Sequence, residues 1–123
     1  MNVALWILQG VLAAVFAFSG AQKATRSKDA LIASGQTGVA PFSLPMVRFT
    51  AISELAAAIG LIAPWATNIA PVLTPLAAVG LAIIMVVAMW VHARQHEPRN
   101  VVVNVVIFAL CVFVAIERLA DLS

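Results

Sequence analysis

The chain has 123 residues, of which 63% are hydrophobic and only 10% are charged, with a formal net charge of +2. A soluble domain carries about a quarter of its residues as Asp, Glu, Lys or Arg. The composition therefore excludes a water-soluble domain and predicts an integral membrane protein whose surroundings are the lipid bilayer. No glycine-rich phosphate loop and no nucleic-acid surface is present, and the single cysteine, Cys111, excludes an internal disulfide and a CxxC redox pair.

Four apolar segments follow one another, each close to the roughly 20 residues that a helix needs to cross a bilayer. They cover about residues 3–22, 46–62, 72–91 and 100–119. Prolines precede or begin the last three segments, where a helix tolerates them. The first connection contains DALIAS, which we expect to form a short interfacial helix. The sequence predicts an all-α fold in which residues 1–123 form one transmembrane domain, a left-handed four-helix bundle.

The basic residues are distributed unequally between the two ends of this bundle. Those in or beside the first and third connections are Lys23, Arg26, Lys28, Arg48, Arg94 and Arg99, whereas Arg118 alone lies near the other end. Connections rich in Lys and Arg remain on the cytoplasmic side. We therefore expect both termini on the non-cytoplasmic side of the cell inner (plasma) membrane.

Polar residues recur at helical spacing and define one face of each of three segments. Gln9, Phe16 and Lys23 align in the first segment, with Gly20 close by. The third carries Met85, Met89, His92 and His96 on one stripe, and the fourth carries Asn100, Asn104, Cys111 and Arg118. Polar groups in hydrocarbon turn toward the bundle interior, so these faces are predicted to meet there.

Glu54 is the only acid well inside an apolar segment. An unpaired carboxylate at that depth is costly, and Lys23, His92 and Asn104 are its candidate partners. We predict a polar cluster of Lys23, Arg48, Glu54, His92 and Asn104 near the cytoplasmic end. Glu54 acts there either as a structural pin or as a protonatable, ligand-contacting group.

Both histidines of the chain lie in WVHARQHEPRN, between the third and fourth segments. Their spacing of four residues resembles HExxH, but HARQH lacks its glutamate and excludes that zinc motif. Neither a metal site nor catalytic residues are assigned. We expect His92 to point inward, beside Asn104 and within reach of Glu54, and His96 to lie with Arg99 at head-group level.

Three segments resemble the DoxX-like family of small four-helix membrane proteins: FAFSGAQKA, RFTAISELAAAIGLIAP and MWVHARQHEPRNVVVNVVIFAL. The positions that match the family pattern are Gly20, Lys23, Arg48, Glu54, His92, Glu97 and Asn104. Similar proteins include a membrane subunit of thiosulfate:quinone oxidoreductase and a partner in another membrane oxidoreductase complex. The resemblance implies fold and membrane location, and no catalytic signature comes with it.

Two functions remain open at this level. The resemblance implies a non-catalytic membrane subunit or adaptor of an oxidoreductase complex near the quinone pool, with a soluble or membrane oxidoreductase as partner. Alternatively, the protein binds or carries a small lipophilic or weakly acidic molecule, such as a quinone or a lipid, in an intramembrane polar pocket. No bound cofactor is expected beyond a quinone as ligand. Ala56 and Gly60 have the small-xxx-small spacing that lets another helix approach closely, and small residues on more than one face of the second segment favour a homo-oligomer or hetero-complex.

Overall fold

The computed structural model describes all 123 residues, and every regular element in it is helical. The elements are α1 (Asn2–Thr25), α2 (Lys28–Ala33), a 3₁₀ turn (Thr37–Val39), α3 (Leu44–Thr67), α4 (Leu73–Arg94) and α5 (Pro98–Asp121). The four long helices, α1, α3, α4 and α5, are each long and apolar enough to cross a membrane. The chain is a small multi-pass integral membrane protein, as the sequence predicts.

The helices extend beyond the predicted segments, most clearly at the end of α3. We expected that segment to end near Ile62, but the helix continues through Pro64 to Thr67. Pro64 has no N–H to donate to the carbonyl of Gly60, one turn earlier. The hydroxyl of Thr74 on α4 donates to that carbonyl instead, at 2.8 Å. The interrupted backbone bond is thereby replaced, and the helix can pass its proline.

The long helices form two close pairs, α1 with α3 and α4 with α5, and the contact of α3 with α4 joins them. Contact between α1 and α5 is much sparser. The core between the pairs is narrow and consists of apolar side chains that include Leu12, Phe16, Leu61, Leu81 and Val114. Large apolar side chains cover the outside, which faces lipid.

Two glycines set the spacing between helices. A Cβ on Gly20 of α1 would lie 2.9 Å from a side-chain carbon of Leu55 and 3.0 Å from the carbonyl of Ala51, both on α3. A Cβ on Gly60 would lie 3.0 Å from Ala77 on α4. Gly60 therefore serves helix contact as predicted from the small-residue spacing, whereas Ala56 is exposed on the outer surface.

The two ends of the bundle differ. The loop end holds the long connection of residues 26–43, with α2, and the tight connection of residues 95–97. The terminal end holds both chain termini and the connection of residues 68–72. The predicted interfacial helix is present as α2, which Ser27 caps and Leu31 anchors against Val39 and Val47.

Candidate functional site

A cavity of about 490 Å³ lies between the helices at the loop end. All four long helices and the 26–43 connection contribute to its wall, which is mainly apolar. Lys23, Glu54, His92 and Asn104 are among its polar lining residues. Its volume falls within the roughly 300–1,000 Å³ of small-molecule sites, which combine apolar walls with a few polar groups.

Lys23 and Glu54 form an ion pair in this wall. The Nζ atom of Lys23 lies 2.8 Å from Oε1 of Glu54, whose side chain is fully buried, while that of Lys23 is 16% exposed. The close approach of α1 to α3 at Gly20 brings the last turn of α1 beside Glu54. Of the three partners predicted for Glu54, the structure selects Lys23. The pair offsets a buried charge that would otherwise be very unfavourable.

His92 is buried and lines the cavity, but its partner differs from the expected ones. Its Nδ1 donates to Oε1 of Glu97 at 2.8 Å, because an ionised carboxylate can only accept. We expected a bond to Asn104 or compensation of Glu54. The correction follows from the tight connection: His96 adopts a φ of 58°, and the Glu97 N–H returns to the carbonyl of His92 at 3.0 Å. The side chain of His96 is exposed.

Glu97 also joins the two connections of the loop end. The Thr37 hydroxyl donates to the Glu97 carboxylate at 2.8 Å, and Gln95 Nε2 donates to the Thr37 carbonyl at 3.1 Å. These four residues, Thr37, His92, Gln95 and Glu97, are called the latch below. The hydrogen bond from His92, followed by that from Thr37, lowers the pKa of the Glu97 carboxyl below its ordinary value of 4.5.

The latch fixes part of the 26–43 connection over the cavity. Gly38 and Val39 line the cavity beside the latch residue Thr37. A Cβ on Gly38 would lie 3.3 Å from Nε2 of His92. The connection therefore forms one wall of the cavity, and the latch holds that wall against the ends of α4 and α5.

Asn104 lies in α5, slightly more than one turn beyond Asn100, and both asparagines line the cavity. The side-chain nitrogen Nδ2 of Asn104 is buried and has no hydrogen-bond partner. Oε2 of Glu54 is buried in the same way. Asn104 therefore faces the bundle interior, as predicted. The predicted bond between Asn104 and His92 is absent.

Arg48 lies outside the cavity, contrary to its place in the predicted cluster. Its Nη1 donates to the carbonyls of Lys23 and Arg26, the latter at 2.9 Å. These carbonyls belong to the C-terminal end of α1, where a helix favours a positive charge. Arg48 thus caps α1 and helps to position Lys23, but it offers no atom to a ligand in the cavity.

Sequence reasoning overlooked the latch partner Thr37 and the hydrogen-bond partners of Arg118 at the terminal end. Arg118, 1% exposed, donates from Nε to Gln9 at 2.7 Å and from Nη1 to Asn2 at 2.9 Å. Its guanidinium carbon lies 4.6 Å from the ring centre of Trp65. Helical phase predicted that the faces with Gln9 and Arg118 meet inside the bundle, but the bond between these two side chains was not predicted.

No group of three His, Cys, Asp or Glu side chains in the structure could hold a metal ion. The cavity instead offers one neutralised ion pair, one histidine and three side-chain amides in a mainly apolar wall. Such an arrangement can bind and orient a small molecule by hydrogen bonds.

Comparison with curated proteins and with solved structures finds no match to this sequence. A family comparison does find one, over residues 7–114, which include every cavity-lining residue. The match extends over far more than half of the chain and includes Lys23, Glu54, His92 and Asn104. The protein with this four-helix membrane fold and loop-end cavity therefore belongs to the DoxX-like family.

Proposed function

We propose that this protein binds a small, neutral, lipophilic molecule inside the membrane, in the cavity at the loop end. The observation that carries the proposal is the cavity itself, about 490 Å³ with a mainly apolar wall. Its one buried carboxylate is already neutralised by Lys23. A neutral ligand therefore fits without adding an unpaired charge to a site of low dielectric constant.

The bilayer is the source of this ligand. The cavity lining includes Phe49, Ile83 and Val87, whose side chains are 66%, 61% and 46% exposed on the lipid-facing surface. A molecule dissolved in the membrane can reach the cavity between α3 and α4 without crossing water. Quinones, quinols and lipid alcohols belong to this chemical class.

Extraction of bound molecules tests the proposal. The protein is purified in mild detergent, and what remains bound is extracted with organic solvent and identified by mass spectrometry. Ala88→Phe should fill part of the cavity and displace the ligand, because Ala88 lines it. Ala109→Phe makes the same change at an exposed position of α5 outside the cavity. Equal amounts of bound ligand in the two variants, or no bound ligand in the wild-type protein, would contradict the proposal.

A second candidate function is that of a non-catalytic membrane subunit of an oxidoreductase complex. It is supported by the resemblance of the three sequence segments described above, and a cavity for a lipophile would suit a subunit close to the quinone pool. The corresponding test is native mass spectrometry of the complex released from membranes. An oxidoreductase at fixed stoichiometry is expected. Release of a lone monomer across several mild detergents would contradict both this role and the predicted oligomer.

A further inference from the structure

Two buried polar atoms of the cavity-lining residues lack a hydrogen-bond partner: Oε2 of Glu54 and Nδ2 of Asn104. Two other buried side-chain atoms, on Gln95 and Arg118, also lack one, but neither of those residues lines the cavity. Buried polar groups in folded proteins are nearly always paired, and an unpaired one is unfavourable. Two residues of the cavity wall therefore leave one acceptor and one donor unused.

The chemistry of these two atoms defines what complements them. The oxygen of an ionised carboxylate only accepts hydrogen bonds, and the nitrogen of an amide side chain only donates them. A complementary ligand must offer a donor to Glu54 and a lone pair to Asn104. A hydroxyl group carries both.

We infer that the cavity selects neutral lipophiles that bear a hydroxyl, that is, alcohols or phenols. The ligand O–H donates to Oε2 of Glu54, and the same oxygen or an adjacent oxygen of the ligand accepts from Nδ2 of Asn104. This inference rests on the proposed function, because it names the class of ligand that the same cavity takes.

The charges around the cavity favour the hydroxyl over other groups. A ligand ammonium would bring an unpaired positive charge into a site whose own charges already offset each other. A ligand carboxylate would place a second negative charge beside Glu54. A ketone or an ether can accept from Asn104 but leaves Oε2 of Glu54 unpaired. Of these groups, the hydroxyl is the one that satisfies both atoms without changing the net charge.

A matched pair of ligands tests the inference. Tritiated para-nonylphenol is bound to the detergent-purified protein, and unlabelled para-nonylphenol or its methyl ether competes for the site. The ether has the same shape and apolar tail but no hydroxyl hydrogen. We expect the ether to compete about tenfold more weakly or worse, the factor that corresponds to one lost hydrogen bond to a charged acceptor.

Two variants locate the effect. In Glu54→Gln the amide oxygen should turn toward Lys23, so that its nitrogen faces the cavity and donates to phenol and ether alike; the preference should disappear. Asn104→Val removes the donor that both ligands use, so it should weaken both by a similar factor. Asn68→Gly is the matched control. It removes an asparagine at the terminal end, where the φ of 56° suits glycine, and should change neither affinity.

The outcomes separate the inference from the proposed function. If neither the phenol nor the ether binds saturably, the proposed function fails, and this inference fails with it. If both bind equally, a lipophile site exists but hydroxyl selection is wrong. Preference for the phenol that persists in Glu54→Gln would also overturn the assignment to Glu54. Should Glu54→Gln not fold, the wild-type comparison of phenol and ether decides by itself.

Discussion

At the scale of the residue, the buried charges determine how the loop end is built. Glu54 lies fully inside the protein, ten positions beyond the first residue of α3, and its single ion-pair partner comes from α1. Removing one member of a buried pair is more harmful than replacing both, because a lone charge then stays buried. Lys23 and Glu54 can therefore be tested as a pair.

Lys23→Met should destabilise the protein by about 3 kcal/mol, the low end for a broken buried pair, since Lys23 is partly exposed. The double variant Lys23→Met with Glu54→Gln should recover part of this loss, because the amide is neutral. Thermal unfolding in detergent measures both, and Arg99→Met serves as an exposed control at the same end. Equal stability of the wild type and Lys23→Met would show that Glu54 does not depend on this partner.

At the scale of the element, two interruptions of regular structure are compensated by side chains from elsewhere. The proline inside α3 leaves the Gly60 carbonyl to Thr74, and the tight connection after α4 directs Glu97 to His92 and Thr37. The bonds of Thr74 to Gly60 and of Thr37 to Glu97 each join two different segments of the fold. Each can be removed singly.

Thr74→Val should destabilise the contact of α3 with α4 by about 1–2 kcal/mol, because it leaves the buried Gly60 carbonyl without a donor. Pro64→Ala restores the backbone N–H that can donate to this carbonyl. In the Pro64→Ala background, Thr74→Val should therefore be nearly neutral. Unfolding of the four proteins of this double-mutant cycle gives the coupling. Additive effects of the two substitutions would contradict the compensation.

The latch should loosen in acid. Because hydrogen bonds from His92 and Thr37 lower the pKa of Glu97, the stabilisation is complete above the ordinary value of 4.5 and is lost as the pH falls through the lowered pKa. A spin label at Ala40 should become more mobile as the pH falls through this lowered pKa. In Glu97→Gln it should be mobile at neutral pH already.

A label at Thr67, at the terminal end, is the control for general acid unfolding. His96→Gly is the matched histidine variant, because its φ of 58° suits glycine, and it should leave the latch closed. His92→Ala should open it. Equal mobility of the Ala40 label in His92→Ala and His96→Gly would contradict the role of His92 in the latch.

At the scale of the whole molecule, six of the seven basic residues lie at the same end as the cavity, and Arg118 lies at the other. Lys28 lies on the 26–43 connection, and the connection of residues 68–72 at the other end has no Lys or Arg. The excess of basic residues predicts that the loop end faces the cytoplasm. The ligand cavity would then open near the cytoplasmic half of the bilayer.

Cysteine labelling decides this orientation. Cys111 is fully buried, so it should not react with a membrane-impermeant maleimide. In intact cells Thr67→Cys should be labelled from outside, whereas Lys28→Cys should be labelled only after the membrane is opened. The reverse pattern would show that the distribution of basic residues does not set the topology of this protein.

The sequence alone determined the surrounding medium, the number of spans and the faces that turn inward. These follow from composition and helical period, because lipid requires each span to satisfy its own backbone and to bury its polar stripe. Gln9, Glu54, His92 and Arg118 are buried as their helical phase predicts.

Only the tertiary structure decided which polar group meets which. His92 pairs with Glu97 and not with Asn104, Arg48 caps α1 outside the cavity, and Thr37 reaches across from another connection. Helical phase gives the direction of a side chain, but its partner depends on the separation of helices and the path of irregular connections. Here the close contact at Gly20 sets the separation of α1 and α3, and the left-handed turn at His96 sets the path of the connection after α4. Neither follows from the periodicity of polar and apolar residues.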